Sequence, residues 1–349
     1  MKAELLSFFY RAVRRQVINH TYRKQKKENM PHHLEDAVDI GDRWLKELPQ
    51  WAYTFDIPKG IGVDLYDLHF DSPLTLAAFK DDVSIIDIWM RLGLGGVCLK
   101  TIMKDAREGN KKPRLQEVSV DGLDSLINAM GLPGHGVEGK IAEVEGSSIR
   151  WHNRPVGFSV GGSSLDEYKF VFDTLNFYLS GKSFPYYFEV NISCPNTPEG
   201  QQMGKNPELL RDLLEYMHFR TKAVIGVKLS PDMENTKLLD FVDLIGRFHR
   251  TYVNLGNTTF RKCVDVGLPE TAISIKGGGL SGPSLYPRTL EMTKLVHPVL
   301  PIIATGGVDS AAKVRELLAN GASLVGMASA VVKDMYCIPK INYEIAQNL

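Results

Sequence analysis

The sequence predicts a (β/α)8 TIM barrel with an N-terminal helical extension, and three observations carry that reading. Short apolar runs alternate with helix-period segments eight times over about 280 residues, the pattern of a parallel sheet wound by helices. Polar residues collect just where those runs end, as expected where barrel strands present their C-terminal ends to a ligand. Residues 1–57 follow a different pattern from the rest, which divides the chain into an accessory segment (1–57) and a barrel domain (58–349).

In the accessory segment Leu5, Phe9, Val13 and Val17 recur every four residues, with Leu6 and Tyr10 widening the stripe. That spacing predicts an amphipathic helix. Eight Lys/Arg against two Glu give residues 1–29 a charge of +6. Such a helix suits an anionic membrane surface, or it packs on the barrel or a partner subunit. A second helix follows Pro31, with Leu34, Val38, Leu45 and Leu48 on one face, and Pro49 stops it.

Beyond Gly62 the elements follow in order. Val63 to Leu65 and His69-Phe70 predict a small hairpin. The eight barrel strands are expected at Leu74–Ala78, Gly95–Leu99, Val156–Val160, Tyr187–Asn191, Ala223–Leu229, Thr251–Leu255, Pro301–Ala304 and Ser323–Met327. Helical patterns such as Glu208–Phe219, Lys237–Phe248 and Ala311–Ala319 lie between them.

Composition narrows the function. Net charge is zero overall, which argues against nucleic acid as a partner. The four cysteines, Cys98, Cys194, Cys263 and Cys337, lie far apart. No local iron–sulfur or zinc motif is expected, no metal site is predicted, and a reducing, cytoplasmic compartment fits. No apolar run approaches the ~18 residues that span a bilayer.

The polar rim comprises Lys100-Thr101, Ser159, Asn191 to Asn196, Lys228, Asn254, Asn257 to Thr259, Gly306-Gly307 and Ala328-Ser329. Thr305-Gly306-Gly307-Val308 before a helix, together with Ala328-Ser329, suits a phosphate site. Gly277 to Gly282 reads as a flexible loop on the same side. No G-x-G-x-x-G follows an early strand, so a dinucleotide fold is not expected. Cys194 sits between Asn191 and Asn196 in a Pro/Gly loop, Val190-Asn191-Ile192-Ser193-Cys194-Pro195-Asn196-Thr197-Pro198. Read locally, it is either a buried cysteine beside a turn or a proton-abstracting thiolate.

That loop resembles the catalytic loop of the dihydroorotate dehydrogenases, flavin enzymes built on a β/α barrel. The resemblance extends over residues 62–345, through Arg107 to Arg114, Asn128 to Pro133, Asn257-Thr258-Thr259 and Gly278 to Gly282. It implies oxidation of (S)-dihydroorotate to orotate in pyrimidine biosynthesis, with FMN as cofactor and Cys194 as the base. It further implies that Lys100, Asn128, Met130, Gly131, Leu132, Asn191, Asn196, Asn257 and Thr258 hold the substrate. Ala77, Ala78, Lys100, Thr101, Ser159, Asn191, Lys228, Gly256, Gly282, Gly306, Gly307, Ala328 and Ser329 would hold FMN.

Two features depart from the family's pattern. Phe79 follows Ala77-Ala78 where the family usually has Gly, leaving Lys80-Asp81-Asp82 out of register with a lysine of the quinone-using class. Cys194 matches the soluble classes, whereas quinone users carry Ser, yet the N-terminal extension is like that of quinone users. The expected acceptor is a membrane quinone, with peripheral membrane contact through residues 1–29; a homodimer is compatible with the sequence. A soluble enzyme using fumarate or a partner subunit, a dihydropyrimidine-type reductase, and a flavin-binding membrane scaffold without turnover are the alternatives. A tRNA-modifying flavin reductase would need an RNA-binding domain beyond strand eight.

Overall fold

The computed structural model describes residues 2–192 and 203–347. Eight strands close a parallel barrel: β1 (Leu74–Leu76), β2 (Gly96–Ile102), β3 (Val156–Val160), β4 (Tyr186–Asn191), β5 (Val224–Leu229), β6 (Thr251–Leu255), β7 (Ile302–Thr305) and β8 (Leu324–Met327). Each pairs with its successor, and β8 closes on β1 through Val325↔Leu74 and Met327↔Leu76. The strands are apolar on their outer face because helices cover them. Phe188 of β4, for example, meets Phe172 of the helix Leu165–Leu179 edge-on at 5.1 Å. The predicted hairpin forms, Val63–Leu65 against Leu68–Phe70, and plugs the N-terminal end of the barrel. Its Phe70, Leu65 and Leu68 pack on Tyr187, Val224, Tyr252 and Leu324.

The boundaries shift at three places that matter for the site. β1 stops at Leu76, and the chain turns as the Phe79 amide donates to the Ala77 carbonyl at 2.8 Å. β2 runs on through Lys100 and Thr101 to Ile102, so these two lie in the strand and not after it. Gly277 to Ser281, expected as a flexible loop, is instead a buried strand. It is held between Thr259–Lys262 and Leu123–Asn128 in a four-stranded antiparallel sheet whose other edge is Leu115–Val120. Glycine suits this strand because neighbouring backbone fills the side-chain space: a Cβ on Gly278 would lie 2.3 Å from the Asn128 carbonyl oxygen.

Helix α1 (Lys2–Lys27) and helix α2 (Glu35–Lys46) lie where the 3.6-residue period placed them. The face of α1 that meets the protein differs from the apolar stripe, however. Ala3, Ser7, Ile18, Thr21 and Gln25 are buried, while Leu5, Phe8 and Phe9 are more than half exposed. Leu6 and Tyr10 are the members of the stripe's first two turns that pack on the core. The inward face is small and polar because α1 is docked by hydrogen bonds. Ser7 Oγ donates to Asp334 Oδ2 at 2.6 Å, and Lys340 Nζ donates to both at 2.9 Å. Arg14 Nε donates to the Val332 carbonyl at 3.2 Å and its Nη2 to Glu117 at 2.7 Å. A hydrogen bond to a charged group contributes about 1.5–3 kcal/mol, so this network rivals the burial of one or two large apolar side chains.

Candidate active site

The C-terminal ends of the barrel strands open into one cavity of about 1120 Å³. It continues from the barrel floor outward between α1 and α2, where Phe9, Val13, Val38, Leu45 and Leu48 line it. The floor carries two buried ammonium groups, Lys100 on β2 and Lys228 on β5. Burial pulls the Lys100 pKa down to about 8, against the opposing pull of Asp81. Asn191 ends β4 beside Lys228 in register, and its Nδ2 donates to Thr101 Oγ1 at 2.8 Å. Thr101 Oγ1 in turn lies 3.0 Å from Ser159 Oγ, so one chain of hydroxyl and amide groups spans β2, β3 and β4.

The antiparallel sheet and the segment after it form one wall. Asn128, Met130, Gly131, Leu132, Asn257, Thr258 and Gly282 all reach the cavity. Ala77 and Ala78 line it after β1, and Gly306, Gly307, Ala328 and Ser329 after β7 and β8. Ser159 and Gly256 stand behind the cavity wall: Ser159 is fully buried against Thr101, and Gly256 packs on Thr305. Cys194 and Asn196 lie outside the described residues.

The lining fits an anionic, phosphate-bearing group. Gly306 and Gly307 hold φ of +139° and +72°, and a Cβ on Gly307 would lie 2.5 Å from the Tyr286 amide nitrogen. Two such residues expose bare backbone to the cavity. Thr305 Oγ1, beside them on the wall, is buried with no hydrogen-bond partner among the described residues. Two buried cations and an unspent hydroxyl match an anionic group.

Residues 61–349 match the family model described as dihydroorotate dehydrogenase. The chain belongs to the dihydroorotate dehydrogenase family. A dihydroorotate dehydrogenase (quinone) of Photorhabdus laumondii is 30% identical over 341 residues, covering 90% of this chain and 96% of that one. The catalytic subunit of dihydroorotate dehydrogenase B (NAD(+)) from Bacillus cytotoxicus is 30% identical over 258 residues, covering 72% and 79%. In fold, the chain superposes on DHODH from Eimeria tenella in complex with ferulenol with a TM-score of 0.73 at 20% identity, covering 88% and 89%. The family consists of flavin-dependent oxidoreductases.

Several groups around the site escape sequence reasoning. Glu189 lies beneath the floor, fully buried, its Oε2 accepting from Tyr252 Oη at 3.1 Å and Asn254 Nδ2 at 2.8 Å. A charged residue at an inward position of an otherwise apolar strand was the available signal. Ion pairs also join the accessory helices to the barrel: Glu35 of α2 receives Arg114 Nε at 3.0 Å, and Asp42 receives Lys80. Such pairings between distant segments leave no trace in local periodicity. Phe79 turns onto Trp89, stacked at 5.7 Å with 27° between planes.

Proposed function

We propose that this chain oxidises (S)-dihydroorotate to orotate on FMN and passes the electrons to a quinone. The observation that carries the reading is the single cavity joining the Lys100, Asn128, Asn191 and Asn257 cluster to the opening between α1 and α2. When bound, FMN supplies the acceptor for the hydride that leaves substrate C6. The Cys194 thiolate takes the proton from C5, and the C5–C6 bond becomes double. Lys100 neutralises the substrate carboxylate, and the amide side chains of Asn128, Asn191, Asn196 and Asn257 meet the ring's N–H and C=O groups. Met130, Gly131, Leu132 and Thr258 close the substrate pocket. Lys228 holds positive charge where the cofactor gains electron density. Gly282, Gly306, Gly307, Ala328 and Ser329 seat the phosphate; Ala77, Ala78 and Thr101 border the ring, with Ser159 and Gly256 supporting from behind.

Residues 1–57 act in this reading as an accessory unit and 58–349 as the catalytic domain. Among the described residues no helix is long and apolar enough to cross a membrane. The exposed Leu5, Phe8 and Phe9 of α1, with Trp44 and Trp51, supply a face that rests on an anionic membrane surface. A vesicle-flotation assay with the full chain checks this; equal recovery with neutral and anionic vesicles would count against it. A second reading, a fumarate- or partner-linked enzyme, is favoured by Cys194, the base found in soluble classes.

The deciding experiment has three parts. Denaturation should release FMN and not FAD. Anaerobic dihydroorotate should bleach the visible absorbance, and a short-chain quinone should restore it faster than fumarate. Faster recovery with fumarate selects the second reading.

Lys100 adds a pH signature. With its pKa near 8 it is roughly ten-to-one charged at pH 7 and the reverse at pH 9. The ammonium that pairs with the substrate carboxylate is lost as pH rises, so KM for dihydroorotate should climb above about pH 8. The turnover rate should move the other way, rising with pH as the Cys194 thiol gives way to the thiolate. A KM that stays flat from pH 6.5 to about 9.5 would remove Lys100 from the carboxylate site.

A further inference from the structure

Lys80 follows the turn that Phe79 makes onto Trp89, and its side chain faces α2 across the cavity wall. Lys80 Nζ donates to Asp42 Oδ2 of α2, with the two side chains 13% and 20% exposed. It also sits 5.9 Å from the centre of the Trp89 ring. Asp42 is the one hydrogen-bond acceptor that the described residues give this ammonium, which carries three N–H donors. The two arginines on the same side of the cavity are committed elsewhere. Arg14 is held by Glu117 and the Val332 carbonyl, and Arg114 by Glu35 and the carbonyls of Glu108 and Asn110. A latch between α2 and this turn already exists in Lys46 and Asp82, 2.6 Å apart. Lys80 is therefore a largely buried cation with unspent donors, on the wall of a passage whose two arginines are already spent.

We propose that Lys80 is a catalytic residue of the acceptor half-reaction, donating a hydrogen bond to a carbonyl oxygen of the quinone, with Asp42 as its positioning residue. This rests on the quinone reading above. The quinone gains two electrons and one proton from the reduced cofactor, which is thereby reoxidised, and a second proton from solvent, so that both C=O groups become C–OH. Negative charge builds on the oxygens as the electrons arrive, and a fixed, largely buried ammonium stabilises that charge more than it stabilises the neutral quinone. Asp42 holds the ammonium in place through their hydrogen bond.

The test uses the holoenzyme and separates the half-reactions. Lys80→Met should slow reoxidation by a short-chain ubiquinone about tenfold or more, a modest share of what losing one oxyanion donor costs elsewhere. Ferricyanide, which takes single electrons and no proton, should reoxidise the variant as fast as wild type. Lys80→Arg should recover part of the quinone rate, and Asp42→Asn should fall between. Quenching of tryptophan fluorescence by the same quinone, reported by Trp44 and Trp89 on the cavity wall, should show weaker binding to Lys80→Met. An unchanged quinone rate in Lys80→Met overturns the proposal, as does equal slowing with quinone and ferricyanide, which marks a structural defect. If wild type itself is reoxidised by fumarate and not by quinone, the underlying reading fails and the proposal falls with it.

Discussion

Cys194→Ala should bind orotate normally yet reduce its flavin ~10²-fold or more slowly than wild type, the loss expected when a general base is removed. The proton on substrate C5 is weakly acidic, so its removal needs a base held against that face while the hydride departs from C6. The chain reaches the loop from Asn191, whose carbonyl accepts from Tyr168 Oη at 2.7 Å and whose side chain is tied to Thr101. The loop is thus entered from a fixed point on the cavity wall. Cys194→Ser should retain partial activity, displaced to higher pH, because a hydroxyl ionises far less readily than a thiol. Anaerobic stopped-flow bleaching of the flavin reads the step directly, separate from any acceptor. Reduction by Cys194→Ala within a few-fold of wild type would assign the proton to another group.

The barrel was legible because strands buried on both faces must be apolar, and the helices between them keep a 3.6-residue stripe. The rim was legible for a related reason: Lys100, Asn191, Lys228 and Asn257 are polar residues at or just beyond apolar runs. The antiparallel sheet was missed although its signal was present. Asp121-Gly122 separates Leu115–Val120 from Leu123–Asn128, and both residues have positive φ, +52° and +75°. Asp-Gly between two short runs is a strong two-residue hairpin signature. The partner strand was hidden because Gly277-Gly278-Gly279 has no side chains to alternate. The docked face of α1 was hidden for the opposite reason. Its anchors, Ser7 and Arg14, are polar, and their partners Asp334 and Val332 lie more than three hundred residues away. A hydrophobic period reports where water is excluded by apolar side chains; it is silent about docking through buried polar pairs.

Gly256→Ala should both destabilise the protein and empty it of cofactor, although Gly256 does not itself line the cavity. It follows β6 directly, with φ at +145° and its amide donating to the Leu229 carbonyl at 3.3 Å. An added Cβ would lie 1.6 Å from the Thr305 carbonyl oxygen and 2.6 Å from its carbon. No rotamer relieves that contact, because the obstacle is backbone, so the ends of β6 and β7 must separate by more than an ångström. The backbone angle is itself strained for any residue with a Cβ, at about 1–3 kcal/mol, and the displaced strands add a comparable overpacking cost. The two strand ends carry different halves of the site, Asn257-Thr258 after β6 and Gly306-Gly307 after β7. Parting them would therefore misplace the proposed substrate contacts relative to the proposed phosphate cradle. The expected result is a loss of about 3 kcal/mol or more in chemical denaturation, with little flavin absorbance in the purified protein. Gly267→Ala is the control. Its φ is +75°, so it carries backbone strain, but nothing lies within 4 Å of the new Cβ. It should cost about 1 kcal/mol and keep its flavin. If Gly256→Ala retains flavin and denatures like Gly267→Ala, the close approach of β6 and β7 is not what holds the two halves of the site in register.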